Sequence, residues 1–204
     1  MVNLIEVEIK VQISNPDLLR QQFKEQDGVY KFSLLHEDTY FNMPKRLRDF
    51  KISDEALRLR KSIEYNKYQE NASRKIFYYI TYKGKKIDKT TKTREEIDIK
   101  IENLEDMKTL LKNLGFQEIF TIRKERELYE FYYKNYKIEA LIDYLPILKQ
   151  YFIEVELLSD SLEEVTNSKN LLFDFLSLFN IKKEESIRRS YLELIADKFK
   201  GKLK

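Results

Sequence analysis

The sequence predicts an α+β protein in which an eight-stranded antiparallel β-barrel has helices packed on its outer surface. Eight extended segments are predicted, and seven of them alternate charged and apolar residues with period two, so each of those seven strands carries charge on one face. Four other segments carry apolar residues at helical spacing and need an apolar surface to cover. If the helices cover the apolar face of the sheet, the charged face lines the inside of a curved sheet or closed barrel.

The strands are rich in β-branched and aromatic residues. They are predicted at 2–13, 28–42, 55–65, 74–83, 93–101, 117–133, 136–144 and 151–158.

Helices are predicted between Pro16 and Gly28, between Asn103 and Gly115, and at 161–179 and 187–199. Cap residues, a proline at a first helical position and terminal glycines mark the first two. Loops are predicted at 42–53 and 64–73, and the Lys-rich turn at 83–92 is expected to be solvated or to cover the mouth of the barrel.

Composition limits the classes of protein that fit. The 204 residues, 42% hydrophobic and 36% charged, suit a single domain spanning residues 1–204. The chain has no Cys and one His, which excludes disulfides, a thiolate nucleophile and Cys-ligated zinc, so any metal must be bound by oxygen atoms. Because apolar runs are short and acidic and basic residues interleave, we expect a cytoplasmic protein that binds neither membranes nor nucleic acid.

Charged residues follow one face of the predicted strands. On the first strand Glu6, Glu8 and Lys10 share a face, with the two carboxylates about 7 Å apart. The other charges with this alternation are Arg58, Arg60, Lys83, Arg94, Glu96, Asp98, Lys124, Arg126, Asp143, Glu154 and Glu156. An ordinary antiparallel sheet with a solvated face would show the same pattern. A triphosphate with Mg²⁺ or Mn²⁺ would instead satisfy both the basic and the acidic residues.

Eight short motifs occur in an order that resembles the CYTH family, the triphosphate tunnel metalloenzymes that include class IV adenylyl cyclases and thiamine triphosphatases. The motifs lie at 6–10, 38–41, 57–60, 81–84, 94–96, 124–126, 153–156 and 189–194, and they cover nearly the whole chain. The resemblance implies an eight-stranded antiparallel tunnel. In such a tunnel, basic residues bind a triphosphate and carboxylates of the first and last strands hold a catalytic metal.

Position by position, the resemblance implies roles for individual residues. The implied metal ligands are Glu6, Glu8, Glu154 and Glu156, with Glu96, Asp98 and Asp143 as further acidic candidates. The implied phosphate-binding residues are Lys10, Arg58, Arg60, Lys83, Arg94, Lys124 and Arg126, with Arg189 closing the site from the C-terminal helix. Lys10 and Tyr40 are the candidate catalytic residues, since Tyr40 could order a water opposite Lys10. His36 is expected to pack or to be solvated.

Two reactions fit such a site. Water attacking the terminal phosphorus gives a triphosphatase, whereas a ribose 3′-hydroxyl attacking the α-phosphorus gives an adenylyl cyclase. Bacterial class IV cyclases carry a His-Phe pair ahead of the first motif, where this chain has Met1-Val2-Asn3-Leu4-Ile5. We therefore expect metal-dependent hydrolysis of inorganic or simple organic triphosphate. A class IV adenylyl cyclase is the alternative, a non-catalytic polyphosphate or nucleotide binder is third, and a homodimer is left open.

Overall fold

Eight antiparallel strands close into a barrel in the computed structural model, which describes residues 5–159, 161 and 163–200. The strands are β1 (Ile5–Ile13), β2 (Val29–Asn42), β3 (Ala56–Tyr65), β4 (Lys75–Lys83), β5 (Arg94–Ile101), β6 (Gln117–Tyr133), β7 (Tyr136–Leu145) and β8 (Gln150–Ser159). Their order around the barrel is β1-β5-β4-β3-β2-β6-β7-β8. The predicted α+β barrel is confirmed. Every described strand end lies within one residue of its predicted position, and residues 2–4 of the first predicted strand lie outside the described residues.

Helices lie on the outside of the barrel. They are α1 (Pro16–Glu25), α2 (Phe50–Ser53), α3 (Leu104–Asn113), α4 (Val165–Ser177) and α5 (Tyr191–Lys200), with a 3₁₀ turn at Lys183–Glu185. The loop predicted at 42–53 therefore contains a helix, which begins where the side chain of Asp49 accepts a hydrogen bond from the amide of Lys51. Among the described residues, no helix has the length and apolar content needed to cross a membrane.

The last helix begins later than predicted, at Tyr191 instead of residue 187. The amide of Ile187 donates to the carbonyl of Lys10 at 2.7 Å, which keeps this segment extended along β1. Ser190 and Glu193 then cap the helix reciprocally: each backbone amide donates to the other side chain, at 2.7 and 3.2 Å. The C-terminal segment is therefore fixed to the barrel before α5 starts.

The two faces of β1 show how the alternating pattern positions the site. Val7, Ile9 and Val11 are almost fully buried in an apolar cluster that also contains residues of α1 and α4. Burial of each such side chain stabilises the fold by about 1.5–3 kcal/mol. In the register with β8, Glu8 lies opposite Glu156 on the inner face. The apolar face thus anchors the strand, and its charged face is turned into the barrel.

The barrel is closed by a short seam between β1 and β5. Only two residue pairs, Ile5 with Glu95 and Glu6 with Arg94, align these strands in the described part of the chain. The seam continues outside β5, because the amide of Lys92 donates to the carbonyl of Glu8 at 3.1 Å. The residues just before β5 therefore lie along β1 and next to its inward-facing carboxylates.

Candidate active site

A cavity of about 460 Å³ lies against the inner face of the barrel. Side chains of every strand except β7 line it, together with residues of α2, α5 and the segment between β4 and β5. The charged residues predicted for the site that line this cavity are Glu6, Glu8, Arg58, Arg60, Lys83, Arg94, Glu96, Asp98, Lys124, Arg126, Glu154 and Glu156. Cross-strand pairing thus brings together charges that are up to 150 residues apart in sequence.

Three carboxylates from β1 and β8 form an acidic cluster. One oxygen from each of Glu6, Glu8 and Glu156 lies within 4.8 Å of the others. Carboxylate oxygens are the ligands that hard divalent cations such as Mg²⁺ and Mn²⁺ prefer, so this donor set fits such a cation. The cluster can therefore hold a metal ion.

The pKa values of the acidic cluster reflect the crowding of like charges. Burial and the neighbouring carboxylate of Glu154 raise the pKa of Glu8 to about 7. Burial and the charge of Glu96 raise the pKa of Glu6, and burial and the charge of Glu6 raise that of Glu156 well above its ordinary value. A bound divalent cation would reverse these shifts by stabilising the ionised carboxylates.

Glu154 differs from the acidic cluster because cations surround it. Its carboxylate accepts from Lys92 at 2.8 Å and also from the guanidinium of Arg126. Burial acts to raise the pKa of Glu154, but the charges of Lys92, Lys124 and Arg126 hold it well below its ordinary value. Glu154 therefore stays ionised and, in this geometry, positions basic side chains.

Basic residues on the cavity wall are oriented by acidic partners. Arg60 donates to both oxygens of Asp38 at 2.6 and 2.8 Å. Arg126 donates to both oxygens of Asp143 at 2.6 and 2.7 Å. Such paired contacts fix the plane of a guanidinium group before any ligand arrives. The barrel interior is thus lined by ion pairs as well as by clusters of like charge.

Two buried guanidinium nitrogens have no hydrogen-bond partner within the described ranges: the Nε atoms of Arg58 and Arg94. Other nitrogens of these groups donate to Thr81 Oγ1 at 2.9 Å and to the Gly84 carbonyl at 3.4 Å. A buried N–H without an acceptor costs about 1–3 kcal/mol. Because both arginines line the cavity, an oxygen atom of an anionic ligand could supply the missing acceptor.

The other acidic candidates are engaged outside the acidic cluster. Asp143 is fully buried and accepts from Arg126, from Lys124 at 3.3 Å and from the hydroxyl of Tyr191 at 2.9 Å. Glu96 accepts from Lys83 through both oxygens. The remaining candidate, Asp98, accepts from Thr81 Oγ1 and is 56% exposed. These three carboxylates accept hydrogen bonds from basic and hydroxyl side chains of the barrel interior. The geometry therefore favours a role in orienting those side chains over a role as metal ligands.

Lys10 is fully buried beneath α5. Its Nζ donates to the backbone carbonyl of Arg189 and lies 4.1 Å from the centre of the Tyr191 ring. Burial and the charge of Lys92 lower the pKa of Lys10 to about 7. Tyr40, the other candidate catalytic residue, lines the cavity. It packs against an apolar cluster that includes Tyr191 and Ile195 of α5.

Arg189 was expected to close the site with its side chain, but the structure places that group elsewhere. The guanidinium is 57% exposed and donates to Asp197 at 2.5 Å, so only the backbone of Arg189 faces the interior. Tyr191, two residues later, occupies the inner position and its ring also lies 5.2 Å from Lys124 Nζ. His36 is buried, with Nε2 3.1 Å from Ser62 Oγ.

Two lysines of the turn at 83–92 are buried, so of the two expectations for this turn, solvation or coverage of the barrel mouth, simple solvation is wrong. Lys86 forms an ion pair with Asp54 at 2.6 Å, and Lys92 contacts Glu8 and Glu154. Both line the cavity. The sequence contained a signal for Lys92, which precedes the inward-facing Arg94 by two residues. If the alternation of β5 is extended back by two residues, Lys92 lies on the same face as Arg94, inside the barrel.

Comparison with known proteins agrees with this geometry. A family profile described as the CYTH domain matches residues 4–191. The chain belongs to the CYTH family. Over 191 residues it is 40% identical to a Methanocaldococcus jannaschii protein named "Putative adenylate cyclase MJ0240", and the alignment covers 94% of this chain and 98% of that one.

Solved structures of other proteins share the CYTH barrel. The PH1819 protein of Pyrococcus horikoshii superposes with a TM-score of 0.79 at 33% identity, covering 95% of this chain and 99% of that chain. A protein from Hippeastrum superposes with a TM-score of 0.61 at 18% identity, covering 95% and 96% of the two chains. The second likeness concerns the fold alone.

Proposed function

We propose that this CYTH protein is a metal-dependent triphosphatase that hydrolyses inorganic triphosphate or a simple organic triphosphate inside the barrel. The observation that carries the proposal is the presence, in one cavity, of a three-carboxylate cluster and two buried guanidinium groups whose Nε atoms each lack a hydrogen-bond acceptor among the described residues. The cluster suits a hard divalent cation, and the guanidinium groups suit non-bridging phosphate oxygens. The Hippeastrum protein that shares this fold is described as a putative adenylyl cyclase with a dominant triphosphatase activity, so the barrel is compatible with this reaction class.

In the proposed reaction, residues of the chain position the substrate and shield its charge. Glu6, Glu8 and Glu156 would hold Mg²⁺ or Mn²⁺, which when bound supplies Lewis-acid stabilisation of phosphate charge. Arg58 and Arg94 would donate to non-bridging oxygens through their Nε–H groups, which have no hydrogen-bond acceptor in the described part of the chain. Phosphoryl transfer depends mainly on such positioning and electrostatic stabilisation.

The remaining basic candidates would complete the phosphate contacts. They are Arg60, Lys83, Lys124 and Arg126, which all line the cavity. Tyr40 is proposed to order the attacking water from the cavity wall. Lys10 is proposed as the proton acceptor, because an amine whose burial lowers its pKa to about 7 is neutral in about half of the molecules near that pH.

An adenylyl cyclase is the second candidate, and apolar residues in the cavity lining favour it. Apolar side chains of Phe50, Ile119, Leu192 and Ala196 line the cavity beside its charged wall, and such a surface could contact a nucleoside base. The name of the M. jannaschii relative agrees with this reading. A non-catalytic polyphosphate or nucleotide binder is the third candidate, because the basic side chains could bind phosphate groups without catalysing a reaction.

The products distinguish these candidates directly. Inorganic triphosphate should be cleaved to pyrophosphate and phosphate only when Mg²⁺ or Mn²⁺ is present, and ATP should react more slowly and give ADP. Purified protein is incubated with each substrate, with metal or with chelator, and phosphate, pyrophosphate, ADP and cyclic AMP are quantified. Cyclic AMP with equimolar pyrophosphate, formed faster than triphosphate is hydrolysed, would establish the cyclase instead. Tight binding of triphosphate with no product in any metal would establish the binder.

Metal affinity is expected to depend on pH through the acidic cluster. Because the pKa of Glu8 is raised to about 7, its carboxyl is protonated below that pH and must lose the proton when a cation binds. The apparent affinity for Mn²⁺ should therefore rise by about tenfold per pH unit for each displaced proton below this value, and less steeply above it once Glu8 is ionised. Calorimetric titration across a pH series that brackets this value measures the slope. A flat affinity profile would contradict ligation by these carboxylates.

A further inference from the structure

Lys92 occupies a position next to the acidic cluster that the family motifs of the sequence do not include. Its backbone is fixed, since its amide donates to the Glu8 carbonyl at 3.1 Å and the next residue, Thr93, accepts at its carbonyl from Ile87 at 2.9 Å. Its Nζ bridges a carboxylate oxygen of Glu8 and one of Glu154, the latter at 2.8 Å. The side chain is 8% exposed and lines the cavity.

The Lys92 ammonium contacts the same carboxylate that the acidic cluster would offer to a metal. Glu8 lies within 4.8 Å of Glu6 and Glu156 through its nearest oxygen, and Lys92 supplies the positive charge at Glu8. Burial opposes a charged Lys92, but the carboxylates of Glu154 and Glu8 raise its pKa above the ordinary value. The Lys92 ammonium therefore balances the charge of the carboxylates that it contacts.

A divalent cation on Glu8 would repel this ammonium at such short range. Lysine is suited to respond, because its charge is carried on a long, flexible chain whose backbone attachment can stay in place. The Tyr191 ring lies 5.7 Å from Nζ, and Lys92 shares the cavity with the phosphate-binding candidates Arg58 and Arg94. When a polyanion is bound in the cavity, the ammonium can thus leave Glu8 and form an ion pair with a phosphate oxygen instead.

The geometry points to Lys92 as a positioning residue that stands in for the metal in the cation-free site. On metal and substrate binding, its ammonium moves from Glu8 to a phosphate oxygen. This inference rests on the proposed function, because it assumes that the acidic cluster binds a cation and that the cavity binds a triphosphate. It makes Lys92 a competitor of the metal when substrate is absent and a ligand of the substrate when both are present.

The test is Lys92→Met, which keeps the length of the side chain and removes its charge. Without the competing ammonium, Mn²⁺ alone should bind about tenfold more tightly in calorimetric titration. The KM for triphosphate should rise at least about tenfold, because a charge-assisted contact is lost. Lys89→Met, an exposed lysine of the same segment, is the matched control and should leave both values unchanged. Lys92→Arg keeps the charge and should bind Mn²⁺ with nearly the parent affinity.

A measurement on the parent protein covers the case in which these variants fold poorly. The ¹³Cε–¹Hε NMR signal of Lys92 should shift on addition of Mg²⁺ with triphosphate, and an unchanged signal would overturn the inference. If Lys92→Met binds Mn²⁺ with equal or lower affinity while the parent binds Mn²⁺ and cleaves triphosphate, the inference fails and the proposed function stands. If the parent neither binds Mn²⁺ nor cleaves triphosphate, the proposed function itself fails.

Discussion

Glu156→Gln is expected to reduce triphosphate turnover at least about 100-fold while leaving the barrel folded. The substitution preserves the size of the side chain and removes one of the three carboxylates that lie within 4.8 Å of one another. Burial and the charge of Glu6 raise the pKa of Glu156 well above its ordinary value. Because the folded protein binds this proton more tightly than the unfolded chain does, the free energy of unfolding falls as pH rises and the buried carboxyl ionises. Glutamine does not ionise and therefore avoids this loss of stability. Without metal, the melting temperature of the variant should be no lower than that of the parent near neutral pH.

Phosphate release at saturating metal and thermal melting in chelator measure these two effects. Glu125→Gln is the matched control, because Glu125 is an exposed glutamate on the outer face of β6. It should change neither quantity. Full turnover by Glu156→Gln, or full turnover by the parent in excess chelator, would show that the acidic cluster does not hold a catalytic metal.

Much of the barrel could be predicted because its sequence obeys two independent constraints. The outer face of β1 must be apolar to pack against α1 and α4, and its inner face must be charged if it contacts a charged ligand. Together these constraints enforce strict alternation, which also distinguishes the inner residues Glu6 and Glu8 from Val7. The same argument placed Arg58, Arg94 and other basic residues on the cavity wall.

The pairing of charges across strands could not be predicted from alternation. Period two assigns a residue to a face, but the register between strands decides which side chains on that face meet. Arg60 lies opposite Asp38 because β2 and β3 pair with that register, and Arg126 lies opposite Asp143 because of the register of β6 with β7. For this reason the sequence assigned the charges to one face but did not show that many of them form ion pairs with each other.

The segment before β5 was misassigned because its composition is that of a solvated turn. Its fold depends on distant contacts: the Asp88 carboxylate accepts from the amides of Thr90 and Thr91 and from Lys169 of α4. These contacts direct Lys92 inwards. Similarly, Tyr191 replaces Arg189 at the inner position because the cap at Ser190 sets the rotation of α5.

Arg126→Ala is expected to lower the free energy of unfolding by about 3–5 kcal/mol, which corresponds to a fall in melting temperature of about 10 °C for a domain of this size. Arg126 is the shared partner of Asp143 and Glu154, and both of these residues are buried. Truncation leaves the buried Asp143 without its two-pronged guanidinium partner and removes one of the three cations that surround Glu154. Denaturant and thermal unfolding of the metal-free protein measure the loss.

Arg123→Ala provides the matched control on the same strand. Arg123 pairs with Glu37 at 2.9 Å, but the two side chains are 77% and 41% exposed, so solvent screens the pair and its removal should cost less than about 1 kcal/mol. The double variant Arg126→Met/Asp143→Asn removes one cation and one anion together and should recover part of the stability lost in Arg126→Ala. Equal losses for Arg126→Ala and Arg123→Ala would mean that water reaches the interior ion pairs. The acidic cluster would then be hydrated too, and burial could not account for the raised pKa values on which its pH-dependent metal affinity rests.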